Sequence, residues 1–141
     1  MIYVFLINCL VVAIAVIIHY EFLYRASTYI PSMKIKHQFR IVFGVFAALV
    51  AHSIEIWVFA ITYYYMHYFG DWGDLKGNFN GSLIDCGYFS FTTYTTLGFG
   101  DIEPFGYLRY LVGIESLTGL VLITWTASFL YYEMHRNWDY R

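Results

Sequence analysis

The sequence has little charge, few helix-breaking residues and almost no cysteine. Only 13% of its 141 residues are charged, and it contains 2 prolines and 2 cysteines. The formal net charge of −2 gives no basic surface, so we expect no nucleic-acid partner. Cys9 and Cys86 lie in separate apolar stretches and match no metal-ligand spacing, which favours small buried side chains. By contrast, 60% of the residues are hydrophobic and 23% are aromatic, a composition typical of membrane proteins.

Long apolar runs occupy residues 2–19, 41–66 and 107–132. Each run approaches or exceeds the roughly 20 residues that a helix needs to cross a bilayer. A cleaved signal peptide needs a basic amino-terminal region, which the first run lacks, so we interpret it as an uncleaved membrane helix. The second run ends in three tyrosines, residues 63–65, which we expect to anchor it at the membrane interface. The sequence therefore predicts an all-α membrane protein with three transmembrane helices.

Basic residues indicate the side of the membrane on which each connection lies. The segment 21–40 is polar, and Pro31 is expected to break any long helix there. Segment 21–40 and the tail, residues 135–141, together hold six Lys and Arg residues: Arg25, Lys34, Lys36, Arg40, Arg136 and Arg141. The segments expected outside hold two, Lys76 and Arg109. We therefore expect a multi-pass protein of the cell membrane, with its amino terminus outside and its carboxyl terminus in the cytoplasm.

A shorter helix is predicted between the second and third apolar runs. Residues 67–81 contain several glycines and charged residues, which favour an external loop. Ser82 is a suitable amino-terminal cap for a helix over residues 83–94, and Asp85 in its first turn favours the positive end of the helix dipole. This helix is too short to span a bilayer. After it, Pro104 is expected to open the final helix.

The most specific backbone pattern directly follows the short helix, in Thr95-Thr96-Leu97-Gly98-Phe99-Gly100-Asp101. Glycine adopts positive φ at little steric cost. Two glycines that alternate with apolar residues therefore allow successive carbonyls to point the same way, which an ordinary strand does not. A ring of such segments presents stacked carbonyl oxygens that replace the water shell of a small cation. The pattern therefore predicts an ion pathway.

This heptapeptide resembles the selectivity filter of potassium channels, usually Thr-Thr-Val-Gly-Tyr-Gly-Asp, with Leu97 in place of Val and Phe99 in place of Tyr. Both changes keep the backbone chemistry, because the ion ligands are main-chain carbonyls and one threonine hydroxyl. The resemblance implies that potassium binds four consecutive residues: Thr96, Leu97, Gly98 and Phe99. It implies that three neighbours support this filter: Thr95, Gly100 and Asp101.

The same resemblance implies the rest of the architecture. The helix over residues 83–94 is expected to be a re-entrant pore helix, and the filter is expected to form in a homotetramer, because four chains build it in that family. From residue 41 onward, the order outer helix, pore helix, filter and inner helix matches the family's pore module. We therefore divide the chain into an amino-terminal helix with its linker (1–40), a pore module (41–134) and a short cytoplasmic tail (135–141). Three stretches, residues 52–55 (His-Ser-Ile-Glu), 93–98 (Thr-Tyr-Thr-Thr-Leu-Gly) and 122–129 (Leu-Ile-Thr-Trp-Thr-Ala-Ser-Phe), also resemble small bacterial ion-channel proteins with one extra leading helix.

The resemblance also raises expectations about the surroundings of the filter. Phe99 lacks the hydroxyl that the family's filter tyrosine uses to bond pore-helix aromatics, and Tyr88 and Phe89 occupy the facing positions. We therefore expect the support around the filter to rest mainly on apolar packing. The family position that often holds a glutamate behind the filter is Thr92 in this sequence.

Glu115 is an unusual residue within the third apolar run. It lies six residues beyond Arg109, about 9 Å along a helix, which places it level with the predicted pore helix. An unpaired carboxylate in a membrane is costly. We expect Glu115 to hydrogen-bond the pore helix, near residues 92–94, and so to support the filter. The alternative is a pore-facing carboxylate that concentrates cations.

Two further glycines lie in the same helix as Glu115. In the family, the inner helix bends at a glycine several residues beyond the filter. Gly119 matches that place and is the expected gating hinge, with Gly113 a poorer candidate. The alternative for Gly119 is a small residue that allows close helix packing.

His52 and Glu55 are three residues apart and therefore share one helix face. We expect a hydrogen-bonded pair that faces protein, although such a pair could also ligate a metal. Our interpretation of the chain is a potassium-selective channel subunit that conducts passively and has no catalytic residue and no cofactor. Its partners are potassium ions, the lipid bilayer and copies of itself. A weakly selective cation channel is the nearest alternative. An integral-membrane enzyme or sensor that uses His52 and Glu55 is the alternative from another class.

Overall fold

The structure, a computed structural model, describes residues 2–138. In chain order, its elements are four α-helices and two short β-strands: α1 (Ile2–Ser32), α2 (His37–Tyr68), β1 (Leu75–Gly77), α3 (Leu83–Tyr94), β2 (Ile102–Pro104) and α4 (Leu108–Trp138). Helices α1, α2 and α4 are each long and apolar enough to cross a membrane. The prediction of three candidate spans is therefore confirmed.

Helix α1 is longer than the sequence predicted. We expected a cytoplasmic linker over 21–40, but the helix continues to Ser32, and the connection to α2 is residues 33–36. A bond of 2.7 Å from the Arg25 guanidinium to the Glu21 carboxylate, one turn apart, stabilises the polar part of the helix. Pro31 lies in the last turn, so it marks the end of α1 instead of breaking it earlier.

Helix α4 continues past residue 135, where the predicted tail begins. Residues 135–138 belong to α4 instead of forming a separate tail. The remainder of the predicted tail, residues 139–141, lies outside the described residues.

Helix α3 has the predicted bounds and the predicted cap. The Ser82 hydroxyl accepts a hydrogen bond of 3.0 Å from the Asp85 backbone N–H, and the helix ends at Tyr94. Its 12 residues extend about 18 Å, well short of a bilayer core of about 30 Å. Because α3 packs against both α2 and α4, it is enclosed between two of the candidate spans.

Two strands of three residues join the segments before and after α3. They pair antiparallel, with Leu75 opposite Pro104 and Gly77 opposite Ile102. Pro104 therefore does not open the last helix as we expected, because it ends β2 and α4 begins at Leu108. The sheet lies at the end of α2 opposite to the 33–36 connection.

The main core forms where α3 meets the long helices. Phe59 and Tyr63 of α2, Tyr94 of α3 and Leu111 of α4 are almost fully buried there. Tyr63 is thus a core residue and not part of an interface anchor, which corrects the expectation for residues 63–65; Tyr65 is exposed. This core fixes the position of the carboxyl end of α3 and of the segment that follows it.

Candidate functional site

The segment between α3 and β2, residues 95–101, is here called the 95–101 loop. Its backbone alternates between hands, with φ of 58° at Thr96, 49° at Gly98 and 76° at Gly100, and ordinary negative φ at the two residues between. Alternation of left-handed and right-handed residues turns successive carbonyls toward one side. Thr96 is the only described residue other than glycine with positive φ. A β-branched residue in that region marks a backbone that the surroundings hold in a strained state.

Helix α3 holds the start of this loop through its last carbonyls. The Thr95 hydroxyl donates to Phe91 O at 2.7 Å, and the Thr96 N–H donates to Thr93 O at 2.9 Å. The Gly98 N–H reaches back to Thr92 O at 3.0 Å. Groups that a helix end leaves without partners therefore fix the loop. The opposite side is open, because residues 95–100 are all exposed on the isolated chain.

The far end of the loop is attached to α3 by a side chain. The Tyr88 hydroxyl donates to Asp101 Oδ2 at 2.9 Å, and the Tyr88 ring stacks parallel to that of Phe99 with centroids 6.5 Å apart. The bond to the carboxylate raises the pKa of Tyr88 above its ordinary value. From Phe99 we expected the support around the loop to be mainly apolar. Tyr88 instead supplies a hydrogen bond, to Asp101.

Glu115 is fully buried and bonded to two other helices. Its Oε1 accepts from the Ser90 hydroxyl of α3 at 2.5 Å, and its Oε2 accepts from the Tyr63 hydroxyl of α2 at 2.5 Å. The expected contact with α3 is thus present, but Ser90 makes it and not residues 92–94. Glu115 therefore connects α4 to α2 and α3. Its carboxylate is buried among these helices and is not on the open side of the 95–101 loop.

Thr92 and Gly119 lie at the interface of α3 and α4. Thr92 is buried and its hydroxyl donates to Phe89 O of its own helix at 2.9 Å. A Cβ at Gly119 would stand 2.2 Å from Tyr94 O. Nearby, the Ser116 hydroxyl donates to Thr93 O at 3.2 Å. Helix α4 runs unbroken through Gly119, and the missing side chain allows it to pack closely on Tyr94. The role of Gly119 as a gating hinge stays a prediction.

Comparison with known proteins gives a family for this arrangement. A family model described as "Ion channel" matches residues 40–134, which is more than half of the chain. The chain belongs to this ion channel family. No curated protein and no solved structure matches it. The family is one of channels and not of enzymes, so the prediction that the chain is not an enzyme is confirmed and the enzyme alternative is wrong.

The matched span can be located in the structure of this ion channel subunit. It begins at residue 40, near the start of α2, and ends at residue 134, in α4. It therefore contains α3, the 95–101 loop and both strands, whereas α1 lies outside it. The channel is a membrane protein, with three apolar helices long enough to serve as spans.

Sequence reasoning about this channel missed three buried partners: His19, Tyr63 and Ser90. His52 and Glu55 were paired from their spacing, and they do lie 3.1 Å apart, from Nδ1 to Oε2. His19 joins them from α1, with its Nδ1 3.0 Å from Glu55 Oε1. A histidine within the first apolar run was the signal available for this contact, since ionisable residues in membrane helices face partners.

Proposed function

We propose that the chain is the subunit of a homotetrameric, potassium-selective channel and that the 95–101 loop is its filter. Potassium would bind the carbonyls of residues 96–99 and the hydroxyl of Thr96. The observation that carries this proposal is the alternation of positive φ at Thr96, Gly98 and Gly100. Carbonyls aligned in this way replace the hydration shell of a potassium ion at several successive sites. Ions then step from site to site, and conduction needs no catalytic group or cofactor.

The openness of the loop supports assembly around an axis. Leu97 and Phe99 are 60% and 64% exposed, together with the backbone that joins them. In a bilayer, such irregular backbone is tolerated only against protein or a water-filled path. One chain supplies one such segment, so several copies are needed to surround an ion. In the proposed assembly, each chain enters the membrane as the re-entrant helix α3 and returns to the same side through the 95–101 loop. Four copies then place four carbonyls at each level.

The contacts behind the loop support selectivity over simple conduction. A filter selects between ions only if its carbonyls keep their positions, and the loop has hydrogen bonds at both ends, to Phe91, Thr92 and Thr93 and from Tyr88 to Asp101. Glu115 joins α2, α3 and α4 behind it. A weakly selective cation channel remains the competing function, and a flux ratio distinguishes the two.

The proposed orientation follows from the distribution of basic residues. Lys34 and Lys36 lie in the 33–36 connection, and Arg40 is in the first turn of α2. Cytoplasmic connections carry such an excess of basic residues. The sheet and the end of the loop at Asp101 then face outward, and both the amino terminus of α1 and the outer end of α4 lie on that side.

Reconstitution of the purified full chain into liposomes tests this function. With an outward potassium gradient, we expect a potassium flux that barium blocks. A matched sodium gradient should drive a much slower sodium flux. Chemical cross-linking in the same liposomes should trap species up to four chains. Equal potassium and sodium fluxes would favour the weakly selective channel. Absence of any ion flux from correctly inserted tetramers would overturn the proposal.

A further inference from the structure

We propose that His19, His52 and Glu55, with Tyr94 as the fourth ligand, bind a divalent transition-metal ion of the zinc class. These four residues, here called the Glu55 cluster, come from α1, α2 and α3. One ligand atom from each histidine and one from Glu55 all lie within 4.8 Å of one another. His19 and Glu55 are fully buried, and His52 is partly buried.

The distances in the cluster are close to those of a coordinated ion. Nδ1 of His19 lies 3.0 Å from Glu55 Oε1, and Nδ1 of His52 lies 3.1 Å from Glu55 Oε2. In a tetrahedral zinc site with bonds of about 2.0–2.2 Å, neighbouring ligand atoms are roughly 3.3–3.6 Å apart. The histidine-to-carboxylate distances would need shifts of a few tenths of an ångström, and the three ligand atoms, which lie within 4.8 Å of one another, would close by up to about 1 Å around the ion.

Tyr94 supplies a fourth ligand atom at the same place. Its hydroxyl oxygen lies 3.0 Å from His52 Nδ1, and it donates a hydrogen bond to Glu55 Oε2. If the ion replaces the hydroxyl hydrogen, one proton passes to solvent and the oxygen becomes a phenolate. The two positive charges of the ion are then balanced by one carboxylate and one phenolate, as a site buried in a membrane protein requires.

A count of hydrogen atoms around the cluster leaves one contact without a hydrogen, which a metal ion or an added proton would resolve. Thr126 Oγ1 of α4 lies 3.0 Å from His52 Nε2 and 3.4 Å from His19 Nε2, so it closes a ring of four polar contacts with Glu55. With a carboxylate and two neutral imidazoles, the ring holds three hydrogens: one on each imidazole and one on Thr126. Four contacts need four, so two lone pairs face each other at one of them, an arrangement that costs free energy when buried.

A metal ion at the two Nδ1 atoms removes this conflict. Each imidazole then keeps its hydrogen on Nε2 and donates it to Thr126, whose oxygen has two lone pairs to accept both. Thr126 would thereby fix the tautomer and the orientation of both rings, the usual role of residues that contact metal-bound histidines. Imidazole and carboxylate ligands favour zinc, cobalt and nickel over magnesium or calcium, which prefer oxygen ligands alone.

A cavity adjoins the cluster. His52, Tyr94 and Thr126 contribute to the wall of a cavity of about 410 Å³ between α2, the end of α3 and α4. The ion would connect α1 and α2 to Tyr94, the last residue of α3, directly before the 95–101 loop. Binding would therefore stabilise the helices that hold this loop.

Titration of the purified, untagged full chain with Co²⁺ and with Zn²⁺ tests the site. We expect one ion per chain, with the intense visible bands of tetrahedral Co²⁺ and their loss when Zn²⁺ displaces it. His52→Gln and Glu55→Gln should abolish stoichiometric binding, and Thr126→Val should weaken it roughly 10-fold to 100-fold. Zn²⁺ should also raise the Tm of the wild type but not that of His52→Gln.

Two controls make the result decisive. His67→Gln removes a partly buried imidazole at the carboxyl end of α2, about four turns from His52, and should leave binding unchanged. His52→Cys keeps a metal ligand, so it should retain binding and add a sulfur-to-cobalt charge-transfer band. If the wild type binds no Co²⁺ or Zn²⁺, a proton supplies the fourth hydrogen and the proposal is wrong. Binding that survives in His52→Gln and Glu55→Gln, or that His67→Gln abolishes, also overturns it.

Discussion

Gly119 of α4 touches the backbone of α3 at Tyr94. A Cβ built at Gly119 would lie 2.2 Å from Tyr94 O and 3.0 Å from the Tyr94 carbonyl carbon, so no larger residue fits without a shift of one helix. This contact lies at the last residue of α3, immediately before the 95–101 loop. This contact therefore adds a steric link between α4 and the start of the loop to the hydrogen bonds from Ser116 to Thr93 O and from Ser90 to Glu115.

Gly119→Ala should separate α4 from α3. Insertion of a methyl group into such a contact costs about 1–3 kcal/mol, so we expect a lower Tm for the purified protein and reduced potassium flux. Gly113→Ala is the matched control, because nothing lies within 4 Å of its Cβ, and alanine there should be neutral or slightly stabilising. Equal stability of the two variants would show that the contact with Tyr94 does not constrain α4.

Glu115→Gln should be tolerated far better than Glu115→Leu. A glutamine can accept from Tyr63 through its carbonyl and donate to Ser90, whose own hydroxyl can then bond Ile56 O at 2.9 Å. Leucine removes the acceptor of the buried Tyr63 hydroxyl, a loss of about 1–3 kcal/mol, whereas the Ser90 hydroxyl keeps its bond to Ile56 O. We expect the heat stability of the assembled protein to fall in the order wild type, Gln, Leu.

Conduction by the same two variants separates the two roles considered for Glu115. Loss of potassium flux in Glu115→Gln with unchanged heat stability in both variants would indicate a carboxylate that acts on ions. Loss of stability and flux together in Glu115→Leu alone would indicate support of α3.

Gly98→Ala should abolish selective flux while the protein still inserts. Gly98 has φ of 49° and no atom within 4 Å of a built Cβ, so the change adds backbone strain without a side-chain clash. That strain is roughly 1–2 kcal/mol for each alanine, and it acts on every copy of the loop. Flux and the potassium-to-sodium ratio in liposomes are the measurements, with Gly113→Ala as the control for an alanine elsewhere. Undiminished selective flux would remove the assignment of the loop as a filter.

Tyr88→Phe should weaken the outer attachment of the loop. The change keeps the ring against Phe99 but removes the bond of 2.9 Å to Asp101. We expect the protein to assemble normally, and the potassium-to-sodium flux ratio to fall because the end of the loop moves more freely. Asp101→Asn keeps an acceptor for the Tyr88 hydroxyl and should change the ratio less. A ratio unaffected by Tyr88→Phe would show that the stacking alone holds the loop.

Labelling of single cysteines checks the proposed orientation. Asp74→Cys and Lys34→Cys, each in a Cys9→Ala background, should react with a membrane-impermeant reagent from opposite sides. Cys86 can remain, because its side chain is fully buried. Modification of Asp74→Cys in intact cells, and of Lys34→Cys only after permeabilisation, is the expected result. Labelling of both positions from one side would contradict the topology.

Local signals in the sequence were sufficient for α3 and the loop. Ser82 caps α3 by accepting from the N–H of Asp85, three residues later in the chain. Gly98 and Gly100 allow the positive φ of the loop through their own lack of a side chain. The sequence predicts too short an α1, because the polar stretch over residues 21–40 is typical of a linker. A helix tolerates such a stretch where side chains such as Glu21 and Arg25 bond one turn apart.

Contacts between distant residues could not be predicted from the sequence. The burial of Tyr63 follows from its bond with Glu115, which is 52 residues further along the chain. His19 contacts Glu55, which is 36 residues away in the sequence, and Thr126, which is 107 residues away. Helical periodicity can indicate that such a residue faces protein, but it does not identify the residue on the facing helix.

The short connection between α1 and α2 restricts the helices on which α1 can pack. Only residues 33–36 join the two helices, and four residues extend at most about 14 Å. The Arg40 guanidinium also donates to Met33 O at 2.6 Å, which holds this turn closed. Helix α1 therefore packs on its own α2 and α4. In the proposed tetramer, each chain would then complete its helix packing before assembly, and subunits would join without an exchange of α1.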